Sequence, residues 1–217
     1  LNNYTKIAST IPTNVTLVAV SKTKPIDAIL EIYNAGQRVF GENKVQEMCE
    51  KQEVLPKDIQ WHLIGHLQTN KVKYVAPFVA MIHAVDSLKL LQEINKQAAK
   101  NDRTIDCLLQ FHIANEETKF GLSFEEAKEL IESADFMELK NIEICGVMGM
   151  ATFTNDEDQI REEFRTLENY FQLIKSHYFK FNNRFSEISM GMSSDYEIAI
   201  EEGSTMVRIG SKIFGNR

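Results

Sequence analysis

A closed (β/α)8 TIM barrel is the fold class this sequence predicts, and three observations predict it. Apolar runs of strand length alternate with helical patterns eight times along the 217 residues. Such alternation implies a parallel sheet, and a count of eight favours closure into a barrel. No Gly/Ser-rich linker or composition break interrupts the series, so a single domain over 1–217 is expected. No G-x-G-x-x-G follows the first strand, which removes the main sign of an open, doubly wound dinucleotide-binding sheet.

Each element has its own signal. Residues 2–9 read as a short N-terminal helix, and the run 16–20 as the first strand. Pro25 and Asp27 open a helix with Ile26, Ile29, Leu30 and Tyr33 on one side, ended by Gly36. Strand 39–42 precedes helix 43–55, strand 60–64 precedes a short helix over 70–75, and strand 81–85 precedes a helix that Ser87 caps and that runs to 100. Strand 106–113 leads to helix 123–134, where Ser123 and Glu126 have the spacing of a capping box. After strand 142–148, Ile160, Phe164, Leu167, Phe171 and Ile174 recur at helical spacing and predict one long amphipathic helix over 156–177. Strand 185–189, helix 195–202, strand 206–209 and a last helical turn over 212–214 complete the series.

Composition narrows the function classes. A net charge of −7 with no basic run argues against a nucleic-acid partner and against a membrane surface. No apolar stretch has the length of a membrane span, and the first residues lack the basic-then-apolar pattern of a leader. Cys49, Cys107 and Cys145 are widely spaced, two of them in apolar strands, which suits buried free thiols in a reducing compartment. A cytoplasmic location is therefore expected.

The stretch 17–25 carries the first candidate. Side chains alternate along a strand, so Val18, Val20 and Lys22 share one face. Lys22 then stands where a buried strand runs out, pointing the same way as two valines. Desolvation disfavours an ammonium ion and makes such an amine more available as a nucleophile. The alternative is a lysine that merely snorkels into solvent. In a barrel, functional groups gather at the C-terminal ends of strands, with phosphate held by the loops after the last two. Those loops here contain Ser189-Met190-Gly191-Met192-Ser193-Ser194-Asp195 and Arg208-Ile209-Gly210-Ser211, which offer hydroxyls, small residues and helix starts suited to an anion. Each fragment alone is ordinary turn chemistry.

In a closed barrel the last strand adjoins the first, so Arg208 could share a pocket with Lys22 or simply form a structural ion pair. Asn43 is a pocket residue or an N-cap, and Met148 is wall. His62-x-x-x-His66 has a metal-like spacing but lacks a third ligand, so no metal is expected.

With these residues laid out, the chain resembles the pyridoxal-phosphate homeostasis proteins over nearly its whole length. The blocks that carry the resemblance are Val20-Ser21-Lys22-Thr23-Lys24-Pro25, Phe40-Gly41-Glu42-Asn43 with Val45-Gln46-Glu47, Trp61-His62-Leu63-Ile64-Gly65-His66-Leu67-Gln68 with Asn70-Lys71, Gly146-Val147-Met148-Gly149-Met150-Ala151, Ser189-Met190-Gly191-Met192-Ser193 with Asp195, and Val207-Arg208-Ile209-Gly210-Ser211 with Ile213-Phe214-Gly215. His112 stands where the family usually has Asn, and Ser211 where it often has Thr.

The resemblance implies a fold like the barrel domain of alanine racemase, without that enzyme's C-terminal β domain. It implies that Lys22 forms a Schiff base with pyridoxal 5′-phosphate, that Ser193, Gly210 and Ser211 bind the phosphate, that Arg208 faces the pyridine nitrogen, and that Asn43 and Met148 line the ring. It further implies a role in cofactor homeostasis and in amino- and keto-acid balance, without firm catalytic activity and hence without catalytic residues. The expected partners are the cofactor and the apo forms of enzymes that use it, and a monomer is expected. Two alternatives are a slow racemase and a cofactor-free aldolase in which Lys22 attacks a sugar phosphate.

Overall fold

The computed structural model describes residues 1–115 and 120–215. Its strands are β1 (Thr16–Val20), β2 (Val39–Glu42), β3 (Gln60–Leu63), β4 (Met81–Val85), β5 (Ile105–Gln110), β6 (Ile142–Met148), β7 (Glu187–Met192) and β8 (Met206–Ile209). All pair in parallel with their sequence neighbours, and β8 pairs with β1 through Leu17 opposite Val207 and Val18 opposite Arg208, which closes the barrel.

Helices fill the crossovers: α1 (Asn2–Thr10) before β1, then α2 (Ile26–Asn34), α3 (Val45–Val54), α4 (Val72–Val75) and α5 (Leu88–Lys100), with α6 (Phe124–Glu132), α7 (Ala134–Met137), α8 (Glu157–Tyr178), α9 (Tyr196–Glu201) and α10 (Ser211–Phe214) in the second half. The predicted helix over 123–134 is two, because Ser133 ends α6 and its hydroxyl accepts from the Phe136 N–H to start α7. The capping box of Ser123 and Glu126 is formed, and Asp156 caps α8 through the N–H groups of Asp158 and Gln159.

Period-two alternation sorts the strand side chains into two cores. The larger one lies between barrel and helices and contains Ala19, Phe40, Trp61, Leu109, Phe164 and Phe171. The smaller fills the barrel interior with Val18, Met81, Ala84, Leu108, Cys145, Met148 and Met206. Cys107 and Cys145 are buried free thiols and Cys49 is half-buried and free.

The largest departure from expectation is β7, predicted over 185–189 and found at Glu187–Met192. Phe185 belongs to the helix layer instead, stacked on Phe171 at 5.1 Å and on Phe179 at 4.5 Å. The strand runs on through Gly191, whose φ of 94° is open to glycine and puts a bulge between Ser189 and Met192. That bulge turns the end of β7 toward the barrel mouth.

Candidate functional site

A cavity of about 560 Å³ opens at the C-terminal end of the barrel. Every strand that feeds it contributes from that end. β1 runs into the turn that carries Lys22 and Thr23, β2 leads to Asn43, and β3 to Ile64. From the other side come Met150 and Phe153 beyond β6, Met192, Ser193 and Ser194 at the end of β7, and Arg208, Gly210 and Ser211 from β8 and its loop. Lys22, Asn43, Ser193, Arg208, Gly210 and Ser211, all read from the sequence, thus share one cavity.

Met148 does not line it. Its side chain is fully buried in the interior core, one layer below Met150, which takes the lining position on the same face. Alternation along β6 gives the face correctly but not the depth. Thr23, Lys24 and Lys212 also line the cavity; the strand pattern puts Lys24 in the turn beyond β1 and carries no signal for Thr23 or Lys212. Lys24 directs its ammonium to the carbonyls of Gly215 at 2.9 Å and Phe214 at 3.4 Å. The signal for Lys24 and Met150 was the same alternation that located Lys22, carried one step further.

The far wall is shaped for close approach. A Cβ on Gly210 would stand 3.1 Å from the Val20 carbonyl oxygen and 3.2 Å from the Val20 Cβ, so only glycine lets β8 and β1 meet here without a shift. Ser193 Oγ accepts from the Gly210 N–H at 3.2 Å and ties the two loops together. The first turn of α10 leaves the N–H groups of Ser211 and Lys212 without intrahelical acceptors. Small residues, hydroxyls and free N–H groups meet on this side, a donor set suited to an anion.

Arg208 is the buried cation of the site, only 4% exposed. One terminal nitrogen donates to Ser189 Oγ at 2.6 Å and the other to the Gly149 carbonyl at 3.0 Å. Burial lowers its pKa to about 10, with Asp195 pulling the other way, so the guanidinium stays charged near neutrality. Behind it runs a buried chain the sequence did not disclose: Ser189 Oγ to His83 Nδ1 at 3.0 Å, and His83 Nε2 to His62 Nδ1 at 2.9 Å.

Arginine can only donate, and Ser189 has no other side-chain partner among the described residues. Neutral His83 donates from one ring nitrogen and accepts at the other, so it can link Ser189 to His62 within one hydrogen-bonded chain. Burial lowers His62 to about 4 and, with the nearby His62 and Arg208, lowers His83 well below its ordinary value. Both rings are held neutral, and the Ser189 oxygen is the acceptor that the chain offers the guanidinium.

His62 and His66 do not act together. His66 lies outside the barrel mouth, 3.6 Å from Asp86 and stacked on Phe120 at 4.7 Å. Neither His66 nor His112 lines the cavity.

Fold and site define a class of protein: a (β/α)8 barrel whose rim holds a lysine amine and a buried arginine beside an anion-receiving pair of loops. The sequence matches the family described as the alanine racemase N-terminal domain over residues 1–217. It is 43% identical over 202 residues to the pyridoxal phosphate homeostasis protein of Aquifex aeolicus, covering 93% of this chain and 86% of that one. It is 39% identical over 210 residues to the Escherichia coli K12 protein of the same name, covering 95% and 87%.

Among solved structures, PipY of Synechococcus elongatus with PLP bound is similar at a TM-score of 0.88 and 33% identity, covering 99% of each chain. An alanine racemase of Clostridium difficile shares the fold at a TM-score of 0.72 and 14% identity, with 100% of this chain matching 55% of the enzyme. The chain belongs to the alanine racemase N-terminal domain family and, within it, to the pyridoxal phosphate homeostasis proteins.

Proposed function

We propose that this chain binds pyridoxal 5′-phosphate in the rim cavity and serves cofactor homeostasis as a carrier or regulator, not as an enzyme. The observation that carries the reading is the shared cavity, in which a half-buried amine, a buried guanidinium and an anion-receiving loop pair converge. The names of the curated relatives and the PLP-bound PipY support it. When bound, the cofactor supplies an aldehyde that condenses reversibly with a primary amine and releases water. Lys22 is that amine.

Ser193 and Ser211 hold the phosphate through their hydroxyls and the N–H groups at the start of α10, Gly210 lets it approach the backbone, and Asn43 and Met150 bound the ring. Met148 supports the ring wall from the layer beneath. Arg208 faces the pyridine nitrogen, and because it can only donate, that nitrogen stays unprotonated and the ring is a weak electron sink. No histidine, carboxylate, cysteine or tyrosine lines the cavity among the described residues, so Lys24 and Lys212 are the side chains there that could act as a base on a second substrate face.

In this reading the chain works as a monomer in the cytoplasm. No helix among the described residues is long and apolar enough to cross a membrane. Apo forms of cofactor-dependent enzymes are the recipients. A slow racemase is the second reading, favoured by Lys24 and Lys212 in the cavity wall.

The test is the visible spectrum of protein mixed with the cofactor, followed by borohydride reduction and peptide mapping. A visible band and a mass adduct on Lys22 are expected. No band, or an adduct on Lys24 in the wild type, would contradict the assignment. Exchange of Cα hydrogen in deuterated water on the order of 1 per second, lost in Lys24→Ala or Lys212→Ala, would favour the racemase.

A further inference from the structure

On the outer side of the β1–β2 ladder, opposite the cavity, lies a cluster of charged side chains that the ligand contacts leave unexplained. Glu42 is fully buried and Lys51 is 5% exposed. Lys51 Nζ donates to Glu42 Oε1, to Glu47 Oε1 and to the Ser21 carbonyl, each at 2.7 Å, which uses all three of its protons. Ser21 Oγ donates to Glu42 Oε1 at 2.6 Å. Glu47 in turn accepts from the Thr23 N–H.

These contacts bracket Lys22. The carbonyl of the residue before it and the N–H of the residue after it are both held by one cluster. Between them the chain makes a tight turn, closed by the Lys24 N–H on the Ser21 carbonyl at 3.0 Å. Thr23 sits in that turn at a φ of 64°, a left-handed conformation that a β-branched residue rarely adopts. Such backbone persists only where its surroundings hold it. The holding groups here are Glu47 and Lys51.

Burial of a carboxylate and an ammonium, with the half-buried Glu47 beside them, is a costly way to join α3 to the sheet. Glu42 Oε2 is buried without a hydrogen-bond partner among the described residues, which adds to that cost. Burial raises Glu42 against the pull of Lys51 and Ser21, whereas in Glu47 the bonds from Lys51 and Thr23 outweigh burial and hold the carboxyl below its usual range.

We infer that Glu47 and Lys51 are positioning residues that fix the turn from Ser21 to Lys24 and so aim the Lys22 amine into the cavity for covalent capture of the cofactor aldehyde, an inference that rests on the cofactor reading above. In that capture the Lys22 nitrogen bonds to the aldehyde carbon, and the aldehyde oxygen leaves as water with both protons of the neutral amine. Contacts to the phosphate and the ring nitrogen come from β7, β8 and their loops, which Glu42, Glu47 and Lys51 do not touch; the turn they hold meets that side through Lys24 at the far end of α10, on the Phe214 and Gly215 carbonyls.

The experiment compares two ligands. Pyridoxal 5′-phosphate can be captured covalently, whereas pyridoxine 5′-phosphate carries an alcohol in place of the aldehyde and cannot. In Glu47→Ala, affinity for the aldehyde ligand should fall about tenfold or more, with a matching loss of the visible band. Affinity for the alcohol should stay within about twofold. Glu47→Gln keeps an acceptor for the Thr23 N–H and for Lys51 and should restore the aldehyde affinity.

Glu47→Asp keeps the charge, shortens the reach by one methylene and preserves the fold best. It should show the same selective loss in smaller measure, at least about threefold, and it decides the matter should the alanine variant fail to fold. Equal loss of both ligands, no loss of either, or a glutamine variant as weak as alanine would each overturn the inference. Absence of a visible band in the wild type would instead overturn the cofactor reading itself.

Discussion

At the scale of single residues, the site is a matter of which side chain stands at the end of which strand. Lys22 was legible because period-two alternation puts it on the inward face of Val18 and Val20, and Arg208 because the last strand of a closed barrel adjoins the first. Depth was not legible: Met148, which the resemblance puts at the ring, stands one layer below the cavity. The His62–His83–Ser189 chain was invisible, since a lone polar residue in a strand does not announce its partner across the barrel.

Two predictions belong at this scale. Pyridoxal without its phosphate should bind at least about tenfold more weakly, because a hydrogen bond to a charged group is worth roughly 1.5–3 kcal/mol and several are lost. Calorimetry of the two forms checks this, and equal affinity would show that the loops of Ser193 and Ser211 are not the anchor. Lys51→Met should destabilise the fold by about 3–5 kcal/mol, because it strands a fully buried carboxylate without its counter-ion. Urea denaturation measures it. A loss under about 1 kcal/mol would mean that Glu42 is neutral in the folded chain.

At the scale of elements, the eight-fold alternation was readable because each strand is an apolar run bounded by turn chemistry and each helix keeps its own period. Where the reading slipped, a tertiary contact had taken a residue from its local pattern. Phe185 looks like the start of β7 but serves the helix layer, between Phe171 and Phe179. The bulge at Gly191 has no signal beyond the glycine itself, yet it carries Met192 and Ser193 to the cavity. Gly191→Ala should be poorly tolerated, because φ is 94° and the added Cβ would lie 2.5 Å from the Ala199 Cβ. A loss of roughly 1–3 kcal/mol is expected, with weaker cofactor binding at temperatures where the protein remains folded. Unchanged thermal unfolding and unchanged affinity would show that the end of β7 reshapes freely.

At the scale of the whole molecule, acid should weaken the barrel through its interior histidines. Folding depresses the pKa of His62 to about 4 and lowers that of His83 in the same direction, by burial first. A group depressed by folding contributes stability that is present above its unfolded value, about 6.5, and is lost as pH falls through the folded one. His62 alone accounts for roughly 3 kcal/mol at the limit. Glu42 has the opposite sign, since its raised pKa gives a contribution that is full at low pH and lost as pH rises through the folded value. It offsets part of the acid loss. Denaturant midpoints should therefore fall between about pH 6.5 and pH 4.5. Midpoints that stay level across that window would mean that the two rings already carry charge in the barrel.

Cys107 and Cys145 give the molecule a built-in clock. Burial pushes the Cys145 thiol up to about 12, and Cys107 is fully enclosed and raised further from ordinary reactivity. Alkylation requires both a thiolate and a path for the reagent; Cys145 gains both only when the barrel interior opens, and Cys107 only when the helix layer lifts from the strands. Mass labelling over time, with half-buried Cys49 as an internal control, thus times the opening of the barrel at Cys145 and of the helix layer at Cys107. A cofactor that braces β1 against β8 should slow that count.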